Sequence, residues 1–182
     1  MRKITERKVF LGALTPDGFV SFFSQIEDCY GLKKLYILKG GSGFGKSTLI
    51  KKFVAGLIKK HKDKNLTITH LICSADPNST DGAIIHELGL AIIDGTSPHI
   101  TDPKYPGLIG EIVDLAHCID KTKIKTTPEE LKPLMDKKAE CYKNAIAELT
   151  KARNIHMVIE SKMTGCLEFD KVDEVLEKLL NE

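Results

Sequence analysis

Short apolar blocks separated by polar segments run through the first part of the chain and predict an alternation of strands and helices. Residues 35–38, 66–74 and 90–93 are compact apolar runs with the length and composition of buried strands. Residues 46 to about 60 carry apolar side chains at helical spacing on one side and lysines on the other, which predicts an amphipathic helix packed on a sheet. This order predicts an α/β domain with a small, mostly parallel sheet.

The segments around these blocks have weaker patterns. Residues 8–14 predict a strand or an extended lead-in, and residues 19–29 predict a helix that ends at Gly31, because Phe19, Phe22, Phe23 and Ile26 are helically spaced. Residues 79–88 fit neither period, whereas residues 109–119 predict a helix. Residues 95–107 contain three prolines and form a predicted loop too long for a simple connection.

The last third of the chain has a helical pattern throughout. The composition changes at residues 121–128, and residues 129 to about 160 and 168–181 predict two helices joined near Thr164 and Gly165. We therefore expect a core at residues 1–120 and an α-helical arm at residues 121–182, either as one domain or as a domain with a subdomain.

Composition excludes several classes of protein. The chain is 42% hydrophobic and 29% charged with a formal net charge of +2, so we expect a folded protein without a nucleic-acid or membrane partner. It has no apolar run of 18 residues and no signal-peptide pattern. Its five cysteines are scattered, with no CxxC pair, which is typical of reduced thiols in the cytoplasm.

A phosphate-binding motif follows the first buried strand directly. Residues 40–47 match the pattern GxxxxGK[ST], in which glycines let backbone N–H groups surround phosphates at a helix N-terminus. Lys46 is expected to reach the β- and γ-phosphates, Ser47 to ligate Mg²⁺ and Thr48 to contact the α-phosphate. The predicted binding residues for ATP and Mg²⁺ are Gly40, Gly41, Ser42, Gly43, Phe44, Gly45, Lys46, Ser47 and Thr48.

A carboxylate at the end of a neighbouring strand should complete the Mg²⁺ shell. Asp94, which follows the apolar run 90–93, fits best, and Asp76 is its main rival; Asp114 and Glu160 are weaker alternatives. Lys46 and Asp94 are thus the predicted catalytic residues. Gly95 stands where many motor-type ATPases have a catalytic glutamate, so this pattern names no base, and Glu87 and Asp76 are left as alternatives.

Two further side chains, those of His99 and Arg153, each have two interpretations. His99 lies in the proline-rich loop, where it is either a solvated histidine or a substrate contact. Arg153 is the one mid-chain arginine, and it is either an exposed helix residue or an arginine finger. The chain has no Asn/Thr-Lys-x-Asp motif for guanine, which favours ATP over GTP.

Several stretches resemble a poorly characterised bacterial family of P-loop ATPases or ATP-binding proteins. These stretches are residues 10–18, 36–41, 73–77, 94–99 and 102–107. The resemblance implies that Asp76 and residues 94–96 line the nucleotide site. Members of that family carry two similar P-loop halves in tandem, and this chain resembles the first half, which implies self-association or a separate second P-loop half as partner.

These patterns together predict a three-layer P-loop NTPase domain that binds a nucleoside triphosphate and slowly hydrolyses ATP with Mg²⁺. One alternative is a small-molecule kinase, in which the 95–107 loop and His99 form the acceptor pocket. The other is a non-catalytic module, in which bound nucleotide orders an interaction surface on the C-terminal helices.

Overall fold

The computed structural model describes residues 3–29 and 31–181, except for the side chain of Cys29. Two compact units make up the chain. The core unit contains the described residues up to Leu14 together with Gly18–Leu131, and the arm unit contains Thr15–Asp17 and the described residues from Lys132 onward. The sequence predicted a boundary between residues 120 and 121. Residues 1, 2 and 182, at the ends of the two predicted ranges, lie outside the described residues.

The core unit consists mainly of strands with a few helices, and the arm unit consists mainly of helices. The strands are β1 (Ile4–Val9), β2 (Gly12–Thr15), β3 (Gly18–Ser21), β4 (Lys34–Lys39), β5 (Leu66–Ile72), β6 (Thr80–Ile85), β7 (Leu90–Asp94) and β8 (Gly110–Asp114). The α-helices are α1 (Ile26–Cys29), α2 (Lys46–Lys60), α3 (Pro128–Thr164) and α4 (Phe169–Leu180). Short 3-10 turns lie at Phe23–Gln25, His86–Leu88, Leu115–Cys118 and Lys121–Lys123.

Six strands form one sheet in the order β1-β5-β6-β7-β4-β8, while β2 and β3 form a separate two-stranded sheet. Strand β4 is parallel to β7 and β8, and β5 is parallel to β1. Strand β6 runs antiparallel to both of its neighbours, β5 and β7. The start of β6 therefore lies beside the carboxyl ends of β5 and β7, as the register pairs Ile72 with Thr80 and Gly82 with Ile93.

Alternation along the strands divides the core into two clusters, one on each face of the sheet. On one face Ile50 and Val54 of α2 pack on residues such as Leu38 and Ile92. On the other, a cluster around Ile37 is covered by residues of the 3-10 turn, α1 and the following loop, namely Phe23, Ile26 and Leu32. The predicted α/β class with a mostly parallel sheet is confirmed.

The predicted strands at 35–38, 66–74 and 90–93 and the helix at 46–60 are present with ends shifted by at most two residues. The prediction of a helix over residues 109–119 is wrong. Those residues form β8 and a 3-10 turn, because β8 completes the edge of the sheet beside β4, with Leu38 opposite Val113. Such tertiary pairing outweighs a short helical period.

The prediction of a helix over residues 19–29 is wrong in its first part. Gly18–Ser21 is strand β3, which pairs with β2 around a turn, and helical structure begins at Phe23. Gly18 has a φ of 106°, a value that favours glycine and suits this turn. The lead-in predicted at residues 8–14 is divided between the ends of β1 and β2.

The arm unit contains the two predicted C-terminal helices, which are confirmed as α3 and α4. Within this unit the Thr150 hydroxyl donates to the carbonyl of Pro16 at 3.3 Å, and Arg153 forms an ion pair of 2.7 Å with Asp17. Arg153 is thus an exposed helix residue with a carboxylate partner, which favours the first of its two interpretations. No described side chain of α3 or α4 is buried.

Two further findings concern membrane-spanning helices and cysteine thiols. Among the described residues, no helix combines the length and the apolar character needed to cross a membrane. Four cysteines are free thiols, Cys73, Cys118, Cys141 and Cys166. The side chain of Cys29, the fifth, lies outside the described residues.

Candidate functional site

The predicted phosphate loop connects the end of β4 to the start of α2. Gly43 and Gly45 have φ values of 83° and 79°, a left-handed conformation that side chains with a Cβ rarely adopt. Gly45 is also the residue directly before α2. Gly43 and Gly45 therefore match the backbone turns that carry the chain from the sheet into the helix.

Lys46 begins α2, and its side chain turns back over the loop. Its Nζ donates to the carbonyl oxygens of Gly40 at 2.7 Å and Gly41 at 3.0 Å. The same Nζ lies 3.5 Å from Oδ2 of Asp94, and both side chains are largely buried. The structure thus holds the lysine charge inside the loop beside one carboxylate.

Asp94 reaches Lys46 because β7 lies next to β4 in parallel, with Leu38 opposite Asp94. Its Oδ1 accepts hydrogen bonds from the backbone N–H of Thr96 at 2.9 Å and from the Thr96 hydroxyl at 2.5 Å. This turn leaves Oδ2 directed at Lys46. Of the acidic candidates from the sequence, Asp94 is the one for which the structure describes a contact with the loop lysine.

The other sequence candidates have local structural contacts. Oδ1 of Asp76 accepts from the N–H of Asn78 at 3.0 Å in an exposed turn, and Asp114 caps a 3-10 turn through the N–H of Ala116 at 2.8 Å. Glu160 lies within α3, so its proposed position at a strand end is wrong. Both carboxylate oxygens of Glu87 accept from Thr67, at 2.7 Å each. These contacts stabilise turns and strand ends.

The start of β6 contacts the phosphate loop, a feature that the sequence did not reveal. The N–H of Thr80 donates to Oγ of Ser47 at 3.4 Å. The next residue, Asp81, has an exposed side-chain fraction of 12% and lies 3.1 Å from Nε2 of His99. The sequence of residues 79–88 matched neither a strand nor a helix, yet Thr80–Ile85 is a buried strand. The pattern that could have predicted this strand is the run of three apolar residues after Asp81 and Gly82.

His99 is buried, so its interpretation as a solvated loop histidine is wrong. Its side chain is 5% exposed, and its ring packs on Phe23 with 4.5 Å between centroids. Nδ1 lies 2.9 Å from the carbonyl oxygen of Thr96. The histidine therefore connects the loop after β7 to the start of β6.

Burial shifts the pKa of Asp81 and that of His99 in opposite directions, each toward the neutral form of the side chain. Burial raises the pKa of Asp81, while a hydrogen bond from the Cys73 thiol and the charge of His99 act in the opposite direction. Burial lowers the pKa of His99, and the nearby charges of Asp81 and Asp94 oppose that shift. Lys46 and Asp94 act on both groups electrostatically, so the pair belongs to the same electrostatic site as the phosphate loop.

A second lysine fixes the loop that follows Asp94. Nζ of Lys39, at the end of β4, donates to the carbonyls of Gly95 at 3.0 Å and Thr101 at 2.8 Å, and to Oδ1 of Asp102 at 2.8 Å. Three acceptors spread over eight residues are thereby held by one cation. The first part of the 95–107 loop is anchored to the strand that leads into the phosphate loop.

The described residues include no group of three or more His, Cys, Asp and Glu side chains that could hold a metal ion. Hard oxygen ligands for Mg²⁺ are nevertheless present at the loop, as the hydroxyl of Ser47 and the carboxylate of Asp94. Mg²⁺ commonly keeps several waters and binds through one or two protein oxygens plus substrate phosphates. The donor set therefore fits a nucleotide-borne Mg²⁺.

Comparison with family models, with curated proteins and with solved structures found no significant match to this chain. The resemblance described from the sequence stays a prediction.

Proposed function

We propose that the chain is a P-loop nucleotide-binding domain that holds ATP with Mg²⁺ and hydrolyses it slowly. The observation that carries this proposal is the position of Lys46, whose ammonium group lies within the glycine loop between two backbone carbonyls and Asp94. A buried cation at a helix N-terminus, next to the ends of parallel strands, is the arrangement that suits a polyphosphate.

The phosphates would bind at the N-terminus of α2. Backbone N–H groups and the helix dipole there favour anions, and Lys46 would exchange its carbonyl contacts for phosphate oxygens. A hydrogen bond from the Lys46 ammonium to a phosphate oxygen joins two ions, whereas its bonds to the carbonyls of Gly40 and Gly41 have one ionised partner only. Phosphate binding therefore offsets the loss of the contacts to Gly40 and Gly41.

Ser47 and Asp94 would hold the Mg²⁺ that accompanies the nucleotide, with Asp76 as the predicted alternative ligand. When bound, the ion neutralises charge on the β- and γ-phosphates. Oδ2 of Asp94 lies 3.5 Å from Nζ of Lys46, so the lysine would hold this carboxylate while the carboxylate supplies an oxygen ligand to the ion. Gly95 supplies no catalytic side chain after Asp94, which is the reason for proposing slow hydrolysis.

Removal of the Lys46 ammonium group tests the proposal. In Lys46→Ala the affinity for Mg²⁺–ATP should fall about 10- to 100-fold, the equivalent of one charge-assisted hydrogen bond or two. Isothermal titration calorimetry with ATP and Mg²⁺ measures this directly. The matched control is Lys52→Ala, which removes an exposed lysine from the same helix and should leave the affinity within about twofold of the parent. Equal affinity in Lys46→Ala and the parent would refute nucleotide binding at this loop.

Product analysis separates the proposed ATPase from the two alternatives. An ATPase releases inorganic phosphate, whereas a small-molecule kinase forms a phosphorylated metabolite that ³¹P NMR detects. A non-catalytic module binds ATP with turnover no higher than that of Lys46→Ala. The solution molecular weight of the same sample, with and without nucleotide, tests the proposed self-association.

A further inference from the structure

Asp81 and His99 form a polar pair that the proposed nucleotide binding does not by itself require. Both side chains are largely buried, their closest atoms are 3.1 Å apart, and they lie at the loop where Lys46 and Asp94 meet. Buried ionisable groups need a partner or a purpose, because an unpaired one destabilises the fold. Asp81 and His99 are each other's partners, and their position beside the phosphate loop suggests a function for the pair.

The hydrogen-bonding pattern requires one proton between the two side chains. The carbonyl of Thr96 can only accept, so Nδ1 of His99, 2.9 Å away, carries a hydrogen. Nε2 then faces a carboxylate oxygen of Asp81 at hydrogen-bond distance. Two lone pairs would repel at this distance, so one proton lies between Nε2 and the carboxylate, and the pair as a whole is electrically neutral.

The orientation of His99 is determined by its surroundings. Its ring packs on Phe23, Nδ1 is bound to the carbonyl of Thr96, and its own carbonyl accepts from the Thr101 hydroxyl at 3.0 Å. Nζ of Lys39 donates to the carbonyls of Thr101 and Gly95 and so fixes the same loop. The imidazole is therefore pre-organised to support Asp81.

Asp81 itself lies at the edge of the sheet that would face the phosphates. The backbone N–H of its neighbour Thr80 contacts Ser47, and the charges of Lys46 and Asp94 act on the Asp81 carboxylate. Because β6 is antiparallel, its first residues reach the edge where the parallel strands end. The direction of β6 therefore brings the Asp81 carboxylate to the phosphate loop, although β6 is not part of the GxxxxGK[ST] motif.

We infer that Asp81 is the proton acceptor for phosphoryl transfer at this site and that His99 is its positioning residue. The inference rests on the proposed function. Asp81 would be the base that is missing at Gly95, the position after Asp94. The nucleophile would be water.

The water oxygen forms a bond to the γ-phosphorus, the bond from that phosphorus to the oxygen bridging to the β-phosphate breaks, and the bridging electron pair leaves with ADP. One water proton passes to the Asp81 carboxylate while the proton already present is held by Nε2 of His99. The pair changes from neutral to a charge of +1, which the neighbouring carboxylate of Asp94 stabilises, and it later releases the proton to solvent.

Replacement of the carboxylate by an amide tests the inference, because Asp81→Asn keeps the size of the side chain and a hydrogen bond to His99 but cannot accept the proton. We expect kcat to fall about 100-fold, as for loss of a general base, with the Kd of Mg²⁺–ATP within about threefold of the parent. The readouts are single-turnover phosphate release and calorimetry. The control Asp63→Asn makes the same change at an exposed residue beyond the far end of α2 and should leave both values unchanged.

His99 variants separate positioning from structural support. His99→Phe should lower kcat about tenfold without a matching change in Kd, and His99→Gln, whose amide can again contact Asp81, should recover part of that loss. Thermal unfolding of each variant identifies losses that come from misfolding. Equal kcat in His99→Gln and His99→Phe would mean that the ring only fills space, and would overturn the positioning role.

Three outcomes overturn the role of Asp81 while leaving nucleotide binding intact. The first is an unchanged kcat in Asp81→Asn. The second is a parent chain that binds ATP through Lys46 but turns it over no faster than Lys46→Ala. The third is a loss of affinity in Asp81→Asn that appears only with Mg²⁺, which would make this carboxylate a metal ligand. Failure of the proposed function itself would instead appear as unchanged ATP affinity in Lys46→Ala.

Discussion

The carboxylates of this chain lie in very different surroundings, and the surroundings determine the chemistry of each one. Asp94 is largely buried beside the ammonium group of Lys46, and Asp81 beside the imidazole of His99, whereas Glu87 is exposed and accepts from the N–H and hydroxyl of Thr67. The sequence placed Glu87 among the alternatives for a catalytic base. Its contacts instead indicate a structural role at the start of β5.

The contacts of Glu87 predict a pH-dependent stability. The small burial of this side chain acts to raise its pKa, but the hydrogen bonds from Thr67 outweigh it and lower the pKa. A depressed pKa means that the folded state is stabilised above the ordinary pKa of a glutamate, and that this stabilisation is lost as the pH falls through the folded-state value. Glu87→Gln should therefore lower the free energy of unfolding at neutral pH, by less than about 1 kcal/mol because the site is exposed.

Urea unfolding of the parent and Glu87→Gln at neutral pH and at a pH of about 3 measures this difference. The gap between the two proteins should shrink as the pH falls through the lowered folded-state pKa of Glu87, because the carboxylate of the parent becomes protonated there. A gap of constant size would show that the ionised carboxylate has no part in stabilising the strand end.

At the scale of elements, α2 and β6 each contain a glycine, but the two glycines have different surroundings. Gly56 lies on the exposed side of α2, where an added Cβ would meet no heavy atom within 4 Å. Gly82 lies in the buried strand β6, where a Cβ would come within 2.9 Å of the backbone oxygen of Ile92 and 2.8 Å of the Leu71 side chain. Only the second glycine is required by close packing.

Alanine substitution should therefore have opposite signs at the two positions. Gly56→Ala should stabilise the protein by about 0.5–1 kcal/mol, because alanine loses less conformational freedom in a helix. Gly82→Ala should destabilise it by about 1–3 kcal/mol through overpacking between β5 and β7. Chemical unfolding of the two variants beside the parent provides the measurement. Destabilisation by Gly56→Ala would mean that α2 has a neighbour on its exposed side.

At the scale of the whole molecule, burial is concentrated in the core unit. The fully buried large side chains come from α1, α2 and the strands of the six-stranded sheet. In α4 the apolar residues are exposed by 44% to 72% of their surface, namely Phe169, Val172, Val175, Leu176, Leu179 and Leu180. A 12-residue helix without a packed face is marginally stable in water.

Hydrogen exchange should reveal this difference in stability. In a dilute sample the amides of β4 and β7 should exchange on the order of 1,000-fold more slowly than those of α4, because the sheet opens by global unfolding and α4 by local fraying. Mass spectrometry of peptic fragments resolves the two regions. Comparable protection of α4 and the sheet would show that the apolar side of α4 is covered in solution, and its dependence on protein concentration would show whether a second copy covers it.

Local pattern was sufficient for much of this protein. The helical period of residues 46–60, the compact apolar runs of β4, β5 and β7, and the glycine motif between β4 and α2 are features of neighbouring residues, so the sequence predicted these elements. The placement of Lys46 near Asp94 followed from the rule that parallel strands end at one edge of a sheet.

Pairing between distant segments decided the rest. Residues 79–88 became a strand between β5 and β7, and Gly110–Asp114 became the edge strand beside β4, because backbone groups at those positions are paired by neighbours far away in sequence. The antiparallel direction of β6 brought Asp81 to the phosphate loop, and the anchored loop after β7 buried His99 against it. The sequence by itself thus determined the glycine loop and the carboxylate of Asp94 beside it, whereas the tertiary structure alone decided that Asp81 and His99 lie there as well.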